Sequence, residues 1–144
     1  MTPQQIDDIQ ASFAKVAPIA SAAAALFYDR LFTIAPEVKP LFKGDITEQG
    51  RKLMGTLAVV VNGLANLDAV VPFAQLLAVR HVGYGVQAEH YAPVGAALIW
   101  TLEQGLKDDF TPKVREAWMI AYNTLSGAMI AAAYPARQAE PANG

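Results

Sequence analysis

Apolar positions along this 144-residue chain recur at intervals of three and four, and strict alternation is nearly absent. That is the period of helix faces buried against a core. The first helix opens at "TPQQ", with Thr2 as N-cap, Pro3 at the first helical position and Gln5 closing a capping box, and runs to about Pro18. A second, alanine-rich helix carries Ala24, Tyr28, Leu31 and Phe32 on one face and stops before Pro36. "PEVKPLF" (36–42) reads as a short helical turn broken at Pro40. "DITE" (45–48) starts a long helix, with Asp45 as cap and Glu48 as its capping-box partner, whose face is Gln49, Leu53, Leu57, Val60 and Leu64. Asn66 and Asp68 punctuate. The next helix is expected from about Val70 to His81, with Pro72 in its first turn, and Gly83 and Gly85 break it. A further helix begins near Glu89 and runs to about Leu106, and "FTP" (110–112) opens the last, with the stripe Trp118, Tyr122, Leu125 and Met129. The pattern predicts an all-α chain of six to eight helices with short connections. It forms one domain over 1–134, and the small, polar, Pro-containing stretch 135–144 reads as a disordered tail.

Composition sharpens this picture. Apolar residues make up 53% and charged residues 17%. The excess must enter a large core, an oligomer interface such as a homodimer, or contact with a bound apolar ligand. The most apolar runs, "TLAVVV" and "GAALIW", fall short of the roughly 18–20 residues of a membrane span. No signal peptide is evident, so the expected location is cytoplasmic. A net charge of −2 argues against nucleic acid as a partner. The absence of cysteine excludes disulfides, thiol catalysis and cysteine-based metal sites.

Few motifs carry chemistry. "GYG" (83–85) follows a helix rather than a strand and is no dinucleotide fingerprint. Nothing marks Ser21 or Ser126 as activated, and Asp7, Asp8, Asp108 and Asp109 sit near helix ends where they complement the dipole. The two histidines are His81 and His90. His90 reads as a surface residue. His81 ends an apolar helix, after Leu76, Leu77 and Val79. Neutral imidazole is a good iron ligand. One histidine holds no bare metal ion, but it can hold haem, whose porphyrin supplies four further nitrogens. On the residues alone, a satisfied core or surface histidine and a haem ligand both fit His81.

Five ordered stretches decide between them. "LFYDRLF" (26–32), "PEVKPLF" (36–42), "ITEQGRKLM" (46–54), "RHVGYGVQAEHYAPVG" (80–95) and "EAWMIAYNTL" (116–125) resemble bacterial single-domain globins, relatives of the haem domain of flavohaemoglobins, over about residues 5–131. The resemblance implies a globin fold around haem b, with His81 as proximal iron ligand. Phe42 would pack on the porphyrin. Tyr28 and Gln49 would form the distal polar pair. Leu53 and Leu57 would wall the distal side, and Leu77, Val86, Val94 and Leu98 the proximal side. Lys52 or Arg80 would meet a propionate, and Tyr91 would stand behind the proximal histidine. Two hydrogen-bond donors above the iron imply tight dioxygen binding and slow release.

The chain departs from the family pattern twice. Flavohaemoglobins continue into flavin- and NAD-binding domains, and this chain ends at Gly144, so electrons are expected from a separate reductase. The family's late glutamate aligns with Ala133, and no acid occurs from Ala117 to Ala139. A carboxylate there would raise the electron donation of the proximal imidazole. Its absence argues against peroxidase-like chemistry. It leaves reversible dioxygen binding and the oxidation of nitric oxide to nitrate. Oxygen storage or delivery, diatomic-ligand sensing, a six-coordinate haem protein and a haem-free scaffold are the other readings.

Overall fold

The computed structural model describes residues 2–42, 45–83 and 88–133; the side chains of 81–83 lie outside that description, as does the 135–144 stretch. Among the described residues there are six α-helices joined by 3-10 turns, and no strand. Helix α1 (Pro3–Val16) starts as its sequence dictates. The Thr2 hydroxyl accepts from the Gln5 backbone N–H, and the Thr2 N–H donates to the Gln5 side chain. The α-helix ends two residues before Pro18 and tightens into a 3-10 turn over Ala17–Ile19, because proline has no N–H for the next helical bond. Helix α2 (Ala20–Ile34) buries Ala23, Ala24, Phe27, Tyr28 and Leu31. The stretch Pro36–Leu41 is a 3-10 helix ending at Phe42.

Asp45 caps α3 (Ile46–Asn62) by accepting from the Thr47 N–H. Glu48 does not close a capping box; it pairs with Arg51 one turn on, at 3.2 Å. A 3-10 turn at Leu64–Asn66 leads into α4 (Leu67–Gly83). This helix begins three residues before the expected Val70, which places Pro72 inside the helix rather than in its first turn. Asp68 is the reason: it reads as a breaker, but in the first turn of α4 its charge favours the helix N-terminus. Gly85 lies outside the described residues. Helix α5 (Tyr91–Leu106) follows a 3-10 turn at Ala88–His90 and has Pro93 in its first turn. The chain then turns at Lys107, whose φ of 52° is left-handed. The Thr111 hydroxyl caps α6 (Pro112–Ala133) by accepting from the Val114 N–H.

Helix α2 packs against α5 and α3, α1 against α6, and α4 against α6. Ile9, Leu31 and Leu64 are fully buried at the centre. Two polar links tie distant elements. The Trp118 indole N–H donates to the Ser12 hydroxyl at 2.8 Å, which itself donates to the Ile9 carbonyl. The Gln10 amide donates to the Val61 carbonyl at 3.0 Å. The helical run Pro3–Ile34 has the length and apolar content of a membrane-crossing helix, contrary to the expectation from single apolar runs. Its residues Ile9, Phe13, Val16, Phe27 and Leu31 are part of the core. The core does not absorb the whole apolar excess, since Phe73, Leu76 and Val79 of α4 stay exposed.

Candidate functional site

The helical path turns by 59° between α3 and α4. Gly63 permits that turn, because a Cβ there would stand 2.4 Å from a Val70 methyl. Helix α3 then lies against α2 and α1, whereas α4 lies against α6, so the two helices splay apart from the turn.

Tyr28 sits at the entrance to α3. It is 4% exposed and belongs to an aromatic cluster. Its ring meets Phe42 edge-on at 5.3 Å and stacks with Phe32 at 5.8 Å, while Phe32 and Phe42 meet at 5.5 Å. Lys39 covers the outer side of Phe32, its ammonium 5.9 Å from the ring. Helices α2 and α3 touch here because position 50 is glycine. A Cβ at Gly50 would lie 2.9 Å from the Ala24 Cβ and 3.8 Å from the Tyr28 ring. The close approach brings the first turn of α3, with half-buried Gln49, onto the tyrosine.

Burial pushes the Tyr28 hydroxyl up to about 12. Among the described residues desolvation is the only cause, with no charge and no hydrogen bond contributing. Tyr28 is thus a protonated phenol whose ring is held in an apolar cluster. The same shift makes a prediction. Its folded value lies above the ordinary 10.0, so its stabilising contribution is complete below that value and is lost as pH rises toward 12. Tyr122, which burial also pushes up, acts in the same direction. Urea midpoints measured from about pH 9 to about pH 12 should fall, and fall less in Tyr28→Phe. An equal fall in both chains would show that Tyr28 does not titrate in this way.

Leu53, Leu57 and Leu98 come together on one apolar cavity of about 20 Å³, with Phe27, Met54 and Trp118 also on its wall. Its one hydroxyl, that of Thr101, is spent on the Ala97 carbonyl. Such a lining offers water no partners. Val94 is half-buried and packs on the core, and Leu77 is half-buried on α4. Lys52 and Arg80 are exposed, and neither forms an ion pair with a described residue. Both cations are therefore available to a carboxylate. His81 lies in the last turn of α4, with its side chain outside the described set, as is Val86. His90 is half-buried at the start of α5. Asp109 pairs with Lys15, and Asp8 accepts from Gln4, which gives both structural duties.

Tyr91 is buried as the first residue of α5, and its carbonyl accepts from the Tyr122 hydroxyl. Sequence reasoning placed Tyr122 in the core stripe and overlooked Gly95, whose missing side chain makes room for the Tyr122 ring. A lone glycine inside the apolar run "VGAALIW" was the available signal. Among the described residues no group of three or more metal-ligating side chains gathers. Apolar walls and an aromatic cluster around a protonated tyrosine suit a flat apolar macrocycle.

The family model for Globin matches residues 25–129. A flavohemoprotein of Vibrio cholerae is 31% identical over 133 residues, covering 90% of this chain and 34% of that protein. One from Schizosaccharomyces pombe is 33% identical over 122 residues, covering 82% of this chain and 29% of its own length. The chain thus spans about a third of the length of these relatives. The structure of a bacterial globin from Campylobacter jejuni superposes with a TM-score of 0.81 at 26% identity, over 95% of this chain and 99% of that one. Fold and sequence agree over nearly the whole chain, which belongs to the globin family of haem-binding proteins.

Proposed function

We propose that this globin holds haem b through His81, binds dioxygen reversibly, and oxidises nitric oxide to nitrate with electrons from a separate reductase. The observation that carries the reading is Tyr28, a buried tyrosine kept protonated in an aromatic cluster with Phe32 and Phe42, against the first turn of α3. When bound, the haem supplies ferrous iron that takes up diatomic ligands and exchanges single electrons. The residues of the chain do the rest. Phe42 and its aromatic neighbours pack the macrocycle, Leu53 and Leu57 keep water from its distal side, and Lys52 or Arg80 meets a propionate. Tyr28 donates to the bound diatomic ligand, and Gln49, one residue before the Gly50 contact, supplies the second donor. Leu77, Val86 and Val94 would enclose the proximal side, with Tyr91 behind His81, whereas Leu98, expected there too, shares the cavity of Leu53 and Leu57. Ala133 places no carboxylate there, which leaves the proximal imidazole more neutral and favours ligand binding over peroxide cleavage. Dioxygen, nitric oxide and one electron balance to nitrate, so each turnover draws a single electron from the reductase.

Absorption spectra of the ferric, ferrous and oxygenated protein test the cofactor. A Soret band that shifts reversibly with oxygen, and is lost or altered in His81→Ala, is the expected result. No Soret band after haem is supplied would overturn the proposal. Turnover of nitric oxide with an added reductase then separates this activity from oxygen storage, for which the same pocket suffices.

A further inference from the structure

Helix α6 is the shared base of two elements, since α4 and α5 both pack on it. The last turn of α4 carries His81, and the first turn of α5 carries Tyr91. Tyr122, in the middle of α6, reaches that first turn in an unusual way. Its hydroxyl donates to the Tyr91 carbonyl at 2.5 Å. The ring lies directly on the α5 backbone: a Cβ at position 95 would stand 2.5 Å from Tyr122 Cε2 and 3.0 Å from Cδ2. Any side chain at 95 would evict the ring. Burial keeps the phenol protonated, so the donor is permanent.

We infer that Tyr122 is a positioning residue for the proximal side, clamping the first turn of α5 to α6 so that Tyr91 keeps a fixed place relative to the end of α4. Without the clamp, α5 still packs on α2. What loosens is its start, where Tyr91 and Val94 stand. The inference rests on the reading of His81 as the haem ligand.

Tyr122→Phe in the haem-loaded full chain keeps the ring and removes only the hydroxyl. The iron–histidine stretching band of the ferrous protein should shift, and haem loss to an acceptor apoprotein should accelerate about tenfold, as for other supports of a metal ligand. Gly95→Ala, which displaces the ring, should move the band in the same direction. Ser12→Ala removes the α1 acceptor of the α1–α6 hydrogen bond and should lower the melting temperature without moving the band. If Tyr122→Phe takes up no haem, hydrogen exchange of the apo chains decides: faster exchange confined to the start of α5 supports the clamp, and parental protection there overturns it. A parental band with parental haem loss in Tyr122→Phe would also overturn it. A Soret band untouched by His81→Ala would instead strike the ligand reading on which it rests.

Discussion

Tyr28→Phe should release dioxygen roughly ten- to 150-fold faster than the parent. A hydrogen bond to an acceptor carrying charge is worth about 1.5–3 kcal/mol, and each 1.4 kcal/mol is about a factor of ten. The substitution leaves the ring contacts with Phe42 and Phe32 in place, because only the hydroxyl is lost. Burial of the phenol, and no charge or hydrogen bond, accounts for its raised pKa, so losing the hydroxyl should cost the apo chain little. Stability and ligand release therefore part company. A core tyrosine whose hydroxyl serves the fold would lose stability and leave release unchanged. Stopped-flow displacement of oxygen, set beside urea unfolding of the apo chains, reads both quantities. Unchanged release with reduced stability would remove Tyr28 from the ligand pocket.

That contrast also shows which parts of the protein the sequence could disclose. The start of α1 was legible because Thr2, Pro3 and Gln5 act within one turn. The α3 face Gln49, Leu53, Leu57 and Val60 was legible because a period of 3.6 decides burial along any helix packed on one side, whereas Leu64, expected on the same helix, falls beyond its end in the following 3-10 turn. Local chemistry misled where one residue type serves two purposes. Asp68 reads equally as a breaker and as a first-turn acid, and the tertiary course of the chain chose the second. Glu48 can reach back to a cap or forward to Arg51, and it pairs forward.

The site divides along the same line. Tyr28, Phe42, Gln49 and His81 stand as candidates because ordered motifs resemble a known family, not because spacing reveals a pocket. Residues that set distances between helices gave no such signal. Gly50 matters only because Ala24 stands opposite it on another helix. Tyr122 matters because its hydroxyl meets a carbonyl 31 residues away, and periodicity could report only that it is buried. Close approaches depend on the separation of helix axes, which no local pattern encodes.

Trp118→Ala should cost about 3–5 kcal/mol of folding stability, the range for deleting a large buried aromatic side chain. Domains of this size hold about 5–15 kcal/mol in total, so the variant should be close to marginal and melt on the order of 10 °C lower. Trp118 is 4% exposed and packs 6.4 Å from Phe13. It also carries the 2.8 Å bond to Ser12, which joins α1 to α6 across 106 residues of chain. Trp118→Phe retains most of the packing and loses the donor, so its cost should be nearer the roughly 1 kcal/mol of one hydrogen bond plus a small void. The difference between the two variants separates packing from hydrogen bonding. The consequence reaches the ligand site, because Trp118 borders the cavity whose other walls include Leu53, Leu57 and Leu98. Truncation enlarges the void behind the leucines of α3 and removes their backing. Faster haem loss should therefore accompany the lower melting temperature in Trp118→Ala and be much weaker in Trp118→Phe. Parental haem retention in the alanine variant would show that α3 holds its place through α2 and α1, by the Ala24–Gly50 contact and the Gln10–Val61 bond.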